Sequence, residues 1–309
     1  MTPVASREHY WDHMEPVVAE LSNREGIVVQ DRVTSAWGVR SGILLASSMA
    51  DLNRASRAYV LMEHGAGQTY NVASGWAHSS YAGSQAASGC VGFLTPNKKV
   101  ADTWKAVFPL KPGHPVGCPK LDRYLKMDRP DRATVAITHH WDCFVAPESR
   151  SAFQWYKSSW RRVIESWRAE GWEVWGHAHP KIAEELLTFW RSIGVVTASA
   201  DQVLTWAGVL VADNTSLLTE MVALDRGVVF LNAPWYRPEA AHGGRFWDWT
   251  IAGPMVDVPE DLLEPGLLDA AIDDFRLERR EVAEDVYAFI DGSSSRRAAD
   301  AIVEILKGL

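Results

Sequence analysis

The chain has 309 residues, more than one hydrophobic core usually serves, so about two domains is the expectation. Hydrophobic residues make up 47% and charged residues 23%, which excludes wholesale disorder and collagen-like or coiled-coil architecture. With 39 acidic against 31 basic residues the formal charge is −8. A protein that binds nucleic acid by neutralising phosphates carries a basic face, so that class gains no support, and an anionic membrane surface is disfavoured likewise.

Cys90, Cys118 and Cys143 lie far apart with no Cys-x-x-Cys pair, which argues against a disulfide framework and a zinc ribbon. No run approaches the roughly 18 apolar residues of a membrane helix. The N-terminal stretch has no apolar signal-like region. A reduced, cytoplasmic protein with no membrane span is expected. Most of the 15 tryptophans are expected in the core, although rings at a cleft also stack on sugars or bases.

In chain order, Tyr10, Met14, Val17, Val18 and Leu21 recur at a helical period, and Asn23 with Gly26 supplies a stop. The runs 26–29, 42–45, 58–62 and 91–94 each predict a strand buried on both faces. Thr95-Pro96 then predicts a cap for a helix over 98–107. The charged, Pro-containing stretch 126–132 reads as a linker. Beyond it the pattern restarts with a strand over 133–138 and a helix over 151–170. Strand 172–176, helix 181–193 and strand 195–197 follow. Strand 208–212, helix 215–224 and strand 227–231 come next, and a last helix covers 295–307. Strands alternating with helices in both halves predict two parallel α/β sheets, with a ligand cleft between them. The expected division is 1–126, 133–290 and a terminal helix over 291–309 that packs back on the first domain.

Four segments could carry chemistry. Asp213-Asn-Thr215-Ser216 follows a buried strand and opens a helix, whose first amides and dipole suit a phosphate. Simple N-capping explains the same residues, and Glu220 lies further along that helix. His177 and His179, two apart at a strand end, suit an anion, a metal or a hydrogen-bonded loop. His64 leaves a strand into Gly65, Gly67 and Gln68; histidine is the usual general base near neutral pH, although Gly-x-Gly alone is a weak signal. His139-His140-Trp-Asp142 ends another strand, and a structural loop is the plainer reading. No Walker loop and no Gly-x-Ser-x-Gly elbow occur, which argues against NTPase and serine hydrolase chemistry.

The order of these segments is more specific than any one of them. His64-Gly65, Phe93-Leu-Thr-Pro96, Gly117-x-Pro-x-x-Asp122, Thr134-Val-Ala-Ile-Thr138, His179-Pro180, Asp213-x-Thr-Ser216, Gly227-Val-Val-Phe-Leu231, Gly244-Arg-Phe-Trp-Asp248 and Gly253-Pro254 succeed one another. This series resembles the CDP-glycerol glycerophosphotransferase family of teichoic acid synthesis, over roughly residues 58 to 270. More diffusely it is similar to GT-B enzymes including the UDP-GlcNAc 2-epimerase group. The resemblance implies a GT-B-like α/β fold of two Rossmann-type domains facing a cleft. It implies that His64 is the base and that His179, Thr215 and Ser216 bind the donor phosphates. Gly65, Gly67, Gln68, His139, His177, Asp213, Asn214 and Glu220 are then candidates to line the cleft. Ala66-Gly67-Gln68 departs from the family's usual Thr-Pro after His-Gly, and that loop would meet the acceptor.

The expected activity is a metal-independent transferase with no cofactor. It takes a nucleotide-diphosphate donor and passes a glycosyl or glycerophosphoryl group to an acceptor hydroxyl. A nucleotide-sugar epimerase and a non-catalytic nucleotide-sugar binder are the alternatives. A nucleic-acid acceptor draws no support from the net charge.

Overall fold

The computed structural model of the chain describes residues 1–52, 57–66, 89–128, 130, 133–142, 150–236 and 247–309. In chain order it has β1 (Thr2–Val4), α1 (Glu8–Ser22), β2 (Leu44–Ala46), β3 (Tyr59–Met62), β4 (Cys90–Thr95), α2 (Lys98–Val107) and β5 (Gly113–Pro115). Then follow β6 (Thr134–Thr138), α3 (Phe153–Tyr156), α4 (Trp160–Ala169), β7 (Glu173–Gly176), α5 (Ala183–Ser192), β8 (Val196–Thr197) and α6 (Ala200–Trp206). The chain continues with β9 (Val209–Ala212), α7 (Ser216–Ala223), β10 (Gly227–Leu231), β11 (Met255–Val256), α8 (Leu267–Asp273), α9 (Arg276–Val286) and α10 (Ser294–Lys307).

The strands form two all-parallel sheets, one in the order β1-β2-β3-β4-β5 and the other β11-β10-β9-β6-β7-β8. Read from its other edge, the second sheet runs β8-β7-β6-β9-β10-β11. This is the doubly wound order, with its switch point between β6 and β9. The first sheet has a switch of the same kind. Val33, between β1 and β2 in sequence, bridges in parallel to Val4, so the chain passes to one side of β1 before β2 forms on the other.

Two compact units result. One holds Met1–Lys126 with Glu284–Leu309, the other Met127–Ala283. In the first, α1 buries Met14, Val17 and Leu21 against Ala298, Ile302 and Ile305 of α10 and against Val60 and Met62 of the sheet. Full burial of such side chains stabilises by about 1.5–3 kcal/mol each. Asp122 fixes the start of α10, its carboxylate accepting from the Ser294 amide at 2.9 Å, the Ser295 amide at 2.7 Å and the Ser295 hydroxyl at 2.5 Å. In the second unit Trp160, Trp167, Trp172 and Trp190 fill the core. Trp37 and Trp206, by contrast, are exposed.

Several expectations need correction. Residues 26–29 form no strand; the chain there runs beside the outer edge of β1, with the Gln30 amide donating to the Met1 carbonyl at 2.9 Å and Val33 bridging to Val4. The cap of α2 is Asn97, whose side chain accepts from the Val100 amide at 2.8 Å, while the Thr95 hydroxyl donates to the Asn97 carbonyl at 2.9 Å. The helix expected over 151–170 breaks between α3 and α4 at Lys157-Ser158-Ser159, where two serines of low helix propensity meet. Its apolar stripe survives the break, with Phe153, Trp160, Ile164 and Trp167 all buried. The sequence pattern predicts no element at β1, β5, α6, β11 or α8, all short, nor at α9, whose charged 11 residues carry a weak apolar stripe.

Candidate functional site

At the switch point of the second sheet, the carboxyl ends of β6 and β9 lie side by side. Ligands of doubly wound sheets bind outside such ends. Buried Val209–Ala212 delivers the chain into Asp213 and Asn214, which are 3% and 4% exposed. Thr215 then turns into α7. Its extended backbone makes it the N-cap, and its hydroxyl accepts from the Leu217 amide at 3.3 Å. That hydroxyl keeps its own hydrogen as a donor. Ser216, half-buried, occupies the first helical position. The first amides of a helix lack intrahelical partners and share the positive end of its dipole. The amides and dipole at this edge favour negative charge.

Asp213 holds the edge together. Its carboxylate accepts from the His140 amide at 2.6 Å and the Ala152 amide at 2.8 Å, and lies 3.3 Å from His139 Nδ1. The Trp160 indole N–H donates to His139 Nε2 at 3.1 Å, so the ring hydrogen sits on Nδ1 and points to Asp213. His139 is fully buried among Phe153, Trp160 and Trp190. The expectation that His139 lines a cleft is thus corrected: both of its nitrogens are engaged inside the core. Glu220, in the second turn of α7, is 1% exposed and lines no open surface either. Asp213 acts through the loops it ties.

Next to β6, β7 ends in Gly176, where a side chain would overlap the Trp190 ring. His177 Nδ1 lies 2.8 Å from the Thr138 hydroxyl. His179 caps the turn Pro180–Ile182, its Nδ1 accepting from the Lys181 amide at 3.2 Å. A ring that accepts at Nδ1 carries its hydrogen on Nε2. His179 is thereby a fixed donor. Its ring stands 5.1 Å from His140 and 6.5 Å from Trp141, and the Lys181 ammonium lies 3.4 Å above the Trp141 ring. Further along the same edge, Trp155 and Trp235 meet edge to face at 6.2 Å, with the Arg150 guanidinium 5.6 Å from the Trp235 ring. The Arg150 carbonyl accepts from Asn214 Nδ2 at 3.4 Å, which connects this aromatic surface to the start of α7. A small pocket between Asn214, Thr219 and Trp249 measures about 10 Å³, room for about one water.

The first unit carries His64 at the end of β3, one residue beyond Glu63. Gly65 follows with φ +95°, a left-handed backbone that a side chain would strain. His64 Nδ1 hydrogen-bonds to the Ser47 carbonyl at the end of β2. A carbonyl only accepts, so Nδ1 holds the hydrogen and Nε2 is the basic nitrogen. The Tyr10 ring packs against His64 at 4.5 Å. Glu63 is buried, with the Trp104 indole N–H donating to it at 2.8 Å.

The structure thus brings Thr215, Ser216, Asp213, Asn214, His177 and His179 to one sheet edge and places His64 and Gly65 at the edge of the other sheet. Gly67 and Gln68 lie outside the described residues, as do Cys143 and Gly244 to Phe246. Sequence reading passed over Lys181, and over His9 and His13. His13 fits the apolar stripe of α1, between Tyr10 and Met14, and is 4% exposed; a histidine on such a stripe is a readable signal. Among the described residues no group of three or more His, Cys, Asp or Glu is arranged to hold a metal ion. Nor is any helix among them long and apolar enough to cross a membrane.

Two parallel-sheet units with helices around them define an α/β protein of the GT-B-like class, and solved structures agree. A variant of the wall teichoic acid polymerase TagF soaked with CDPG matches at TM-score 0.68 and 12% identity, covering 100% of this chain and 89% of that chain. The S. aureus MnaA–UDP structure matches at TM-score 0.61 and 12% identity, covering 100% and 97%. A UDP-N-acetylglucosamine 2-epimerase matches at TM-score 0.58 and 11% identity, covering 100% and 96%. No family model matches the sequence, and no curated protein does. Likeness at such identity carries the fold.

Proposed function

We propose that the chain is a metal-independent transferase, moving a glycosyl or glycerophosphoryl group from a nucleotide-activated donor to an acceptor hydroxyl. One observation carries this reading: the backbone fixes two histidines in opposite tautomers. His179 accepts at Nδ1 and so donates at Nε2, beside a helix start rich in donors. His64 donates at Nδ1 and so keeps Nε2 basic. A transfer needs both, one to meet the leaving phosphate and one to take the acceptor proton.

In this reading the donor diphosphate rests on the α7 amides, the Thr215 and Ser216 hydroxyls and His179 Nε2–H, with the base against the Trp155–Trp235 surface. The acceptor hydroxyl gives its proton to His64 Nε2 as its oxygen bonds to phosphorus or to the anomeric carbon. The bond to the leaving nucleotide breaks, and the charge that grows on its phosphate meets donors already in place. Donors that strengthen with that charge lower the barrier. TagF with CDPG and MnaA with UDP, similar in fold, support a nucleotide as the ligand.

A thermal-shift panel of CDP, UDP, GDP and ADP with their glycerol or sugar conjugates tests it. Stabilisation grows with ligand concentration over Kd, to about 2.7 kcal/mol at a hundredfold excess, so the preferred base stands out. No shift with any nucleotide removes the donor half. The UDP-N-acetylglucosamine 2-epimerase neighbours, matched over 96% of their chains, favour a second reading: an isomerase that turns a nucleotide sugar over without an acceptor. Nucleotide-sugar conversion in the absence of any second substrate would select it.

A further inference from the structure

The first unit sets one aromatic ring against the imidazole of His64, and a single buried residue holds both. Tyr10 closes the apolar stripe that α1 buries through Met14, Val17 and Leu21, and its half-buried ring packs on the same core. That ring stands 4.5 Å from the His64 ring, edge to face. Ser47, just beyond β2 and 2% exposed, is bonded to both residues. Its hydroxyl donates to the Tyr10 carbonyl at 3.0 Å, and its carbonyl accepts from His64 Nδ1. Packing at position 10 needs only the ring, which a phenylalanine would supply. The phenol hydroxyl makes no hydrogen bond among the described residues and is not sealed from solvent. The fold leaves it unused.

Water is the competing nucleophile in a transfer of this kind. It gives its proton to the base, takes the glycosyl or glycerophosphoryl group and releases the nucleotide with nothing passed on. Two devices suppress that route: excluding water around the reacting groups and holding the right nucleophile in line. A ring fixed on the core covers one side of an imidazole, and a phenol hydroxyl both donates and accepts hydrogen bonds. Resting on the transferase reading and deepening it, we propose that Tyr10 selects the acceptor over water. Its ring shields His64, and its hydroxyl bonds to an oxygen of the acceptor beside the one that reacts. Ser47 is the positioning residue: its hydroxyl sets Tyr10 through the α1 backbone and its carbonyl sets the imidazole, so the two rings keep their spacing. The acceptor then carries a second oxygen next to its reacting hydroxyl, which a simple alcohol lacks.

The test follows the fate of the donor in the full chain. The nucleotide conjugate that stabilises the protein most is incubated with glycerol, which has adjacent hydroxyls, and separately with 1-propanol. Products are counted as alcohol adduct and as hydrolysed donor. Tyr10→Phe keeps the packing ring, so it should fold as the parent does and leave nucleotide stabilisation unchanged. Its ratio of glycerol adduct to hydrolysis should fall about two- to tenfold, the usual worth of a hydrogen bond between uncharged groups. Tyr10→Leu, which also removes the shield, should lower the ratio further by raising hydrolysis. Ser47→Ala, which frees the Tyr10 carbonyl, should move the ratio the same way by less, whereas His64→Gln slows both products together. An unchanged ratio in Tyr10→Phe, or a parent chain that uses 1-propanol as well as glycerol, overturns the proposal and leaves the transferase reading standing. Nucleotide released from no conjugate, or released without any alcohol adduct, removes that reading and this inference with it.

Discussion

Among the described residues, the carboxyl edges of the two sheets each present a histidine, set in different surroundings. In the second unit the groups at the helix and turn starts are tied to backbone: Thr215 to the Leu217 amide, His179 to the Lys181 amide, Asp213 to the His140 and Ala152 amides. In the first unit His64 is tied to the Ser47 carbonyl and also has ring neighbours, Tyr10, His9 and His13. A site tied to backbone is rigid and presents donors whose positions hardly vary, which suits stabilising charge on a phosphate. A site of clustered imidazoles changes its charge with pH and with what enters, which suits moving protons. The same motif type, a histidine after a parallel strand, thus acquires opposite tautomers from its nearest carbonyl or amide.

If that contrast holds, damage to the second unit's edge should be structural first. Asp213→Ala strips the acceptor from two backbone amides and from His139 Nδ1 in a buried setting. Leaving such donors unsatisfied costs about 1–3 kcal/mol each, so a loss of roughly 4 kcal/mol or more is expected in urea unfolding, with nucleotide binding lost alongside. A loss under about 1 kcal/mol would show that the loops do not depend on this carboxylate.

The two histidines sharpen the comparison functionally. His64→Gln removes a basic nitrogen; kcat should fall about 10²–10⁴-fold, with nucleotide affinity unchanged. His179→Ala removes a donor to phosphate, worth about 1.5–3 kcal/mol, so nucleotide Kd should rise roughly ten- to hundredfold. The first is read in single-turnover kinetics and the second in calorimetry. Equal effects of both variants on Kd would remove the division of labour.

How far all this was legible in the sequence follows from the same contrast. Buried parallel strands announce themselves, and 227–231 was read to the residue because Gly-Val-Val-Phe-Leu has no polar interruption. The start of α7 was legible too, since Asp-Asn-Thr-Ser after such a strand is cap chemistry. What the sequence hid was direction. Whether His139 faces a cleft or the core depends on Trp160 and Asp213, 21 and 74 residues away. The tautomers of His64 and His179 depend on a carbonyl 17 residues back and an amide two residues on. The burial of His13 required α1 to be packed on the turn Pro119–Asp122, a tertiary fact. Short elements such as β5 and β11 form because a long neighbour offers an edge, and their own residues carry little pattern.

The last and smallest effect concerns pH and belongs to the first unit. Burial, joined by the charges of Lys120, His64 and His9, depresses the folded-state pKa of His13 below its unfolded value near 6.5. The unfolded chain therefore binds the extra proton in the window between the two values. Stability rises with pH wherever the unfolded state holds more protons, so this contribution is complete above about pH 6.5 and is lost as the pH falls. Each unit of acidification inside the window costs up to about 1.4 kcal/mol. Urea midpoints between pH 7.5 and 5.5 should fall more steeply in the parent chain than in His13→Leu, which has no imidazole to charge. Parallel slopes would mean that His13 accepts its proton without penalty, against its burial.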